Sequence, residues 1–240
     1  MLSGIPLSTV NKIFSGATKN PRYGTLLAIE QVLASGKGIP FAYDMIKEEP
    51  TLIRDRSVPY CYTARAYDGQ DIEKLSERTL AELIDGKLYL LSAPNTKHQQ
   101  ISGRMFYRIM DYIFSHEGKC QVYAAPLDVR LFADDNTVVQ PDISVICDPD
   151  KLTERGCSGA PDWVTEIVSE SNSSHDYVRK LMKYQKAGMR EYWIVDPYQE
   201  LISVYNFEDP QRTAQYTWEE TDPSGVLEGL CVNLKELLEF

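Results

Sequence analysis

The chain has 240 residues, 43% of them hydrophobic, and a formal net charge of -10. That size and apolar content build one sizeable globular core with a small appendage. No stretch is apolar enough to span a bilayer and no basic-then-apolar leader opens the chain, so a cytoplasmic protein without a membrane partner is expected.

The acidic balance argues against tight, sequence-independent binding to nucleic acid, which needs clustered Lys and Arg. Charge is unevenly spread, however: residues 1–38 carry Lys12, Lys19, Arg22 and Lys37 against Glu30 alone. The five cysteines, Cys61, Cys120, Cys147, Cys157 and Cys231, are odd in number, scattered and never in a C-x-x-C pair. They read as reduced packing residues rather than a disulfide framework or a zinc site.

In the first segment, "GIPLSTVNKIFSG" places Val10, Ile13 and Phe14 at helical spacing after Ser8 or Thr9 as cap, and Thr25 caps a second helix rich in leucine. One reading is a small amphipathic pair packed on the main domain. "GIPLSTVNKIFSGATKNPRYGTLLAIEQVL" also resembles the back half of a repressor-type (Cro and phage-repressor-like) helix-turn-helix. That resemblance makes Ser8, Thr9, Asn11 and Lys12 candidates to face a major groove, with Lys19 and Arg22 near phosphates. Such domains place further helices ahead of this segment, so a partial module is expected over residues 1–38. Residues 39–70 show no sustained period and read as a linker.

From Asp71 to Phe240 the pattern is that of one domain. "DIEKLSERT" suits a helix, and "LAELIDGKLYLLSA" reads as a hairpin about Asp85-Gly86. "HQQISGRMFYRIMDYIFSH" repeats Ile101, Met105, Ile109, Tyr112 and Ile113 at helical spacing. "CQVYAAPLDVRLF", "TVVQPDISVICD" and "PDWVTEIVS" read as three strands. "SSHDYVRKLMKYQKAGM" is a helix capped by Ser173 or Ser174 and ended by Gly188; "REYWIVDP" is a fourth strand. Two more strands, "ELISVYNF" and "TAQYTWEE", and a helical turn at "NLKELLEF" follow. The class is α/β, a mixed central sheet flanked by helices with core order αβββαβ.

Two acids stand in apolar strands. Alternation sends Val164, Glu166 and Val168 to one face, and Asp142 follows Pro141 in the preceding strand. If the strands are neighbours, both carboxylates converge and cannot both stay ionised without a cation between them. Mg²⁺, with Mn²⁺ as the alternative, takes a few carboxylate oxygens plus a carbonyl and water, and such an open site serves phosphodiester hydrolysis. Taken singly, Asp142 also reads as a strand-end cap and Glu166 as half of a buried salt bridge with Arg130, Arg179 or Lys180.

The joint pattern resembles the PD-(D/E)XK nuclease superfamily, the restriction-endonuclease-like fold. "VVQPDISVI", "GAPDWVTEIVSESNSSHDYVRKLMKYQKAGMREYWIVDP" and "ERTLAELIDGKLYLLSAPNTKHQ" resemble more closely the Uma-type endonuclease family. The resemblance implies that Asp142, Glu166 and the Ile167 carbonyl bind the metal, that Glu82 is a further acid, and that His98 contacts water or phosphate. The motif's usual lysine falls at Val168. Some members carry it on the following helix, which points to Lys180, on a side shared with Asp176 and Lys183 and away from Tyr177, Leu181 and Tyr184, and able to reach inward if that helix packs across the sheet. Lys180 pairing with Asp176 at the surface, and His98 as a plain helix-start residue, are the rival readings. The expected function is a metal-dependent DNA endonuclease, active as a homodimer since two strands need two sites. The alternative is a non-catalytic DNA-binding or regulatory protein that keeps the fold.

Overall fold

The computed structural model describes residues 67–75, 80–169 and 174–239, together with Thr9 and Thr25, each helical and half-buried. The rest of the helix-turn-helix-like segment, including Ser8, Asn11, Lys12, Lys19 and Arg22, and the linker up to residue 66 lie outside the described residues.

The first elements are α1 (Gly69–Glu73), β1 (Ala81–Ile84) and β2 (Lys87–Leu90). Asp68 caps α1 through the Asp71 N–H, and Asp71 returns the bond. The helix thus starts inside the span that the sequence pattern leaves as linker. β1 and β2 form the expected hairpin, with Ile84 opposite Lys87. Asp85 and Gly86 both take positive φ, 51° and 72°, as a two-residue turn matched to strand twist requires.

A long helix, α2 (Thr96–Ser115), follows, then β3 (Gln121–Ala124), β4 (Val129–Arg130), β5 (Val138–Val139), β6 (Ile143–Ile146), β7 (Leu152–Thr153), β8 (Gly156–Ser158) and β9 (Trp163–Ile167). Each of two expected strands is here a pair. "CQVYAAPLDVRLF" divides at Ala125-Pro126 into β3 and β4, and "TVVQPDISVICD" divides at Gln140-Pro141 into β5 and β6. In both cases the chain passes from one sheet to the other. Proline cannot donate to a ladder, so it marks the handover; both halves are apolar because both sheets face the core. Hydrophobicity alone therefore could not reveal the break.

The remaining elements are α3 (Ser174–Lys186), β10 (Glu191–Asp196), β11 (Leu201–Asn206), β12 (Ala214–Thr217), β13 (Asp222–Pro223), β14 (Cys231–Val232) and α4 (Leu234–Leu238). Gly188, at φ 84°, ends α3 as expected. One sheet has the order β2-β1-β5-β4-β8-β7 and the larger one β12-β11-β10-β9-β6-β3. In the larger sheet β9 and β10 are parallel, joined by α3 as crossover, and the other pairs are antiparallel. Its core order α2-β3-β6-β9-α3-β10 is the expected αβββαβ arrangement.

This sheet separates two cores. On one side Val164, Val168, Tyr192 and Ile194 meet Leu181 and Tyr184 of α3 and the smaller sheet. On the other, Trp163, Ile167, Trp193 and Val195 meet Ile101, Met105 and Ile109 of α2 and the C-terminal segment. Glu166, between Val164 and Val168, thus belongs to the α3 side.

The cysteine expectation needs correction. Cys120 and Cys147 form a disulfide, while Cys157 and Cys231 are free. The β3–β6 register pairs Gln121 with Ile146, so the next position outward sets Cys120 against Cys147. A contact made by strand pairing across 27 residues leaves no trace in cysteine spacing. No helix among the described residues is long and apolar enough to cross a membrane.

Candidate active site

The site begins with an interrupted ladder. β6 and β9 pair Ile143 with Thr165, and carried outward that register sets Asp142 opposite Glu166 and Pro141 opposite Ile167. Proline has no N–H, so the Ile167 carbonyl has no ladder donor across from it. The Ile167 N–H instead donates to Asp142 Oδ2 at 2.7 Å. His98 Nε2, from the first turn of α2, lies 3.1 Å from the same oxygen, and its ring also faces the Ile167 carbonyl. Asn95 caps α2 through the His98 N–H at 2.9 Å, which fixes where that turn begins.

A second group of side chains closes on Glu166 from the other side. Lys180 is buried, and its Nζ donates to Glu166 Oε1 at 2.9 Å and to Glu82 Oε1 at 2.7 Å. Tyr184, one turn further along α3, donates its hydroxyl to Glu166 Oε1 at 2.9 Å. Glu82, in the middle of β1, also accepts from the Gln140 N–H at 2.9 Å, and the Gln140 side chain donates to Asp128 at 2.7 Å. The short stretch Gln140–Asp142 therefore touches both β1 and β9: the Gln140 N–H donates to the Glu82 carboxylate, and the Asp142 carboxylate accepts from the Ile167 N–H.

Lys180 reaches inward, and of the three cations weighed for Glu166 it is the one that pairs with it. Lys180 does not lie away from the apolar stripe; with Leu181 and Tyr184 it is buried against the sheet. Positions i, i+1 and i+4 share a broad helix face, and a wide inward face accommodates a lysine once two carboxylates meet it. Lys183 reaches Asp85 at the hairpin turn instead. The side chain of Asp176 lies outside the described residues. Arg130 is engaged by Glu73 and Asp135, and Arg179 by Tyr89, so neither is Glu166's partner.

Electrostatics couple these groups. Burial pushes Glu166 up to about 7; Lys180 pulls it down, while Asp142 and Glu82 add to the rise. Burial works against the Lys180 ammonium, but Glu166 and Glu82 outweigh it and hold its pKa above the ordinary lysine value. Tyr184 is held well above the usual phenol range, first by burial and then by the Glu166 charge. For His98, burial lowers the pKa, yet the bond to Asp142 and the charges of Asp142 and Glu166 leave it raised. His98 Nδ1 is buried and meets no partner among the described residues.

The donors left over suit a hard divalent cation. Asp142 Oδ1 and Glu166 Oε2 accept from no described residue, and the Ile167 carbonyl, which the His98 ring faces, is the next oxygen along β9. Two carboxylate oxygens and a carbonyl form an all-oxygen set that water or a phosphate can complete. Among the described residues no three His, Cys, Asp or Glu side chains are placed to hold an ion. An ion here therefore depends on the backbone carbonyl. Tyr184, Gln140 and Asp128 were missed by the sequence reading; the i, i+4 spacing of Lys180 and Tyr184 was the available signal for the first of them.

The chain is similar to solved and curated proteins of this kind. A crystal structure from Anabaena variabilis, described as "a putative nuclease belonging to DUF820", superposes with a TM-score of 0.58 at 24% identity, covering 71% of this chain and 97% of that one. That likeness shows the fold. The uncharacterized protein slr1290 of Synechocystis is 25% identical over 134 residues, 55% of this chain and 69% of that protein. Residues 70–235, most of the chain, match the profile of Uma2, described as "Putative restriction endonuclease", and the chain belongs to that family.

Proposed function

We propose that this chain is a metal-dependent DNA endonuclease that hydrolyses phosphodiester bonds in a domain spanning residues 71–240. The reading is carried by one observation: Lys180, on the helix after β9, delivers its ammonium to Glu166 from a position outside the usual strand motif. That ammonium would stand in for the cation absent at Val168.

Asp142, Glu166 and the Ile167 carbonyl would hold Mg²⁺ or Mn²⁺, with Glu82 as a further acid. Once bound, the ion would supply a Lewis acid able to polarise the phosphate and lower the pKa of an attacking water. Lys180, kept charged by its two carboxylates, stabilises the negative charge that grows on the phosphate oxygens. Glu82 and Tyr184 fix where Lys180 and Glu166 stand. His98 engages Asp142 Oδ2 and leaves Oδ1 without a donor among the described residues.

Supercoiled plasmid DNA incubated with wild type and with Asp142→Ala tests this. Cleavage by wild type that requires Mg²⁺, stops with chelator and is lost in the variant is the expected result. Equal cleavage by the two proteins, or cleavage indifferent to chelator, sinks the assignment.

A further inference from the structure

The helix α2 has two apolar faces. One holds Ile101, Met105 and Ile109 against the sheet. Opposite to it, Gly103, Tyr107, Met110 and Phe114 recur at four, three and four residues, the spacing of a helix-pairing seam. Tyr107 is 62%, Met110 43% and Phe114 87% exposed. Exposed residues of this size in one line mark a surface that is covered by something.

The pattern is complementary to itself. Let a second copy of α2 lie antiparallel, with a two-fold axis between Arg108 and Ile109. The axis then sets Phe114 against the partner's Gly103, and Tyr107 against the partner's Met110. The most exposed ring meets the one position on the stripe without a side chain, where a Cβ would touch nothing within 4 Å. A thioether against an aromatic ring is a favourable contact. On one flank Arg104 falls beside the partner's Asp111, and the symmetry repeats that opposite-charge pair. Arg104 also donates to the Leu237 carbonyl at 2.6 Å. On the other flank the half-buried Phe106 and Ile113 continue the apolar surface.

We infer that α2 is a homodimer interface, in which a second copy of this chain packs antiparallel along Gly103, Tyr107, Met110 and Phe114. A self-complementary patch is what a two-fold interface requires, since the same surface must serve both subunits. The inference uses neither metal nor substrate and stands apart from the nuclease reading.

Light scattering on the eluting full-length chain at micromolar concentration measures it. Wild type is expected at twice the 27.3 kDa chain mass. Phe114→Glu and Gly103→Glu are each expected at the monomer mass with unchanged circular dichroism. Gly103→Glu also removes a helix-weakening glycine, so under dilution to a concentration where wild type is itself monomeric its melting temperature should not fall below that of wild type. Asp111→Arg should weaken association several-fold, and adding Arg104→Glu in the same chain should restore it. A monomeric wild type overturns the proposal, whether the stripe is bare or covered by residues 1–66. So does a dimer that survives Phe114→Glu, and a charge swap that fails to restore association overturns the antiparallel register.

Discussion

Glu166 and Glu191 are buried acids on the neighbouring parallel strands β9 and β10, and burial raises the pKa of both. Their partners differ. Glu191 receives Trp193 Nε1 at 2.8 Å and Ser224 Oγ at 3.3 Å on one oxygen, and the Gly225 N–H at 2.5 Å and Asn206 Nδ2 at 3.4 Å on the other. Glu166 directs one oxygen to Lys180 and Tyr184 and leaves the other without a described donor, with the Asp142 charge near enough to raise its pKa. A raised pKa is thus a mark of burial that both share. What separates them is an unfilled oxygen, a charged partner and a second acid nearby. Glu191, saturated by neutral donors, ties the C-terminal segment to the sheet; Glu166 has capacity left for a ligand.

The strongest way to break that comparison is to remove the cation. Lys180→Met leaves Glu82 and Glu166 as buried charges without compensation, and a loss of about 3–5 kcal/mol in denaturant unfolding is expected. Cleavage should vanish with it. A variant as stable as wild type would mean that the two carboxylates do not depend on Lys180.

The two glutamates can then be separated by the same isosteric change. Glu166→Gln should cut the cleavage rate by about a hundred- to a thousandfold, and it should abolish any rise in melting temperature on adding Mn²⁺. Glu191→Gln should leave cleavage near wild type and lower stability by about 1–3 kcal/mol, because an amide must donate where the carboxylate accepted. Cleavage lost equally in both variants would erase the distinction drawn from their partners.

Sequence showed these two acids unequally, for physical reasons. Glu166 stands in mid-strand between valines, where any acid is anomalous, and Pro141-Asp142 is a local signal as well. Glu191 opens "REYWIVDP" and looks like a strand-edge residue; its partners Ser224 and Gly225 lie more than 30 residues away. Lys180 was legible only as one of three cations able to pair with a buried Glu166, because helical periodicity assigns a lysine to the outer face unless the acids beneath it are known. The division of two apolar stretches between two sheets, and the Cys120–Cys147 pairing, likewise depend on which strands become neighbours. Element type was legible throughout most of residues 80–239, since it follows from local period; the partners were not.

Asp222 extends the comparison to an acid with no hydrogen-bond partner among the described residues. It lies in β13 fully buried, and neither carboxylate oxygen meets a donor among the described residues. Burial, with the Glu220 charge second, pushes its pKa from 3.8 to about 8. The folded chain then keeps a proton that the unfolded chain begins to release near pH 4. The stabilisation is complete below that pH and is lost as pH rises through about 8, with a slope of at most about 1.4 kcal/mol per pH unit. Asp222→Asn cannot lose this proton. Its melting temperature should exceed that of wild type at pH 8, with the gap closing towards pH 4. A gap that stays constant across that range would show that Asp222 ionises in the fold without penalty, and that a buried carboxylate here needs no donors to remain charged.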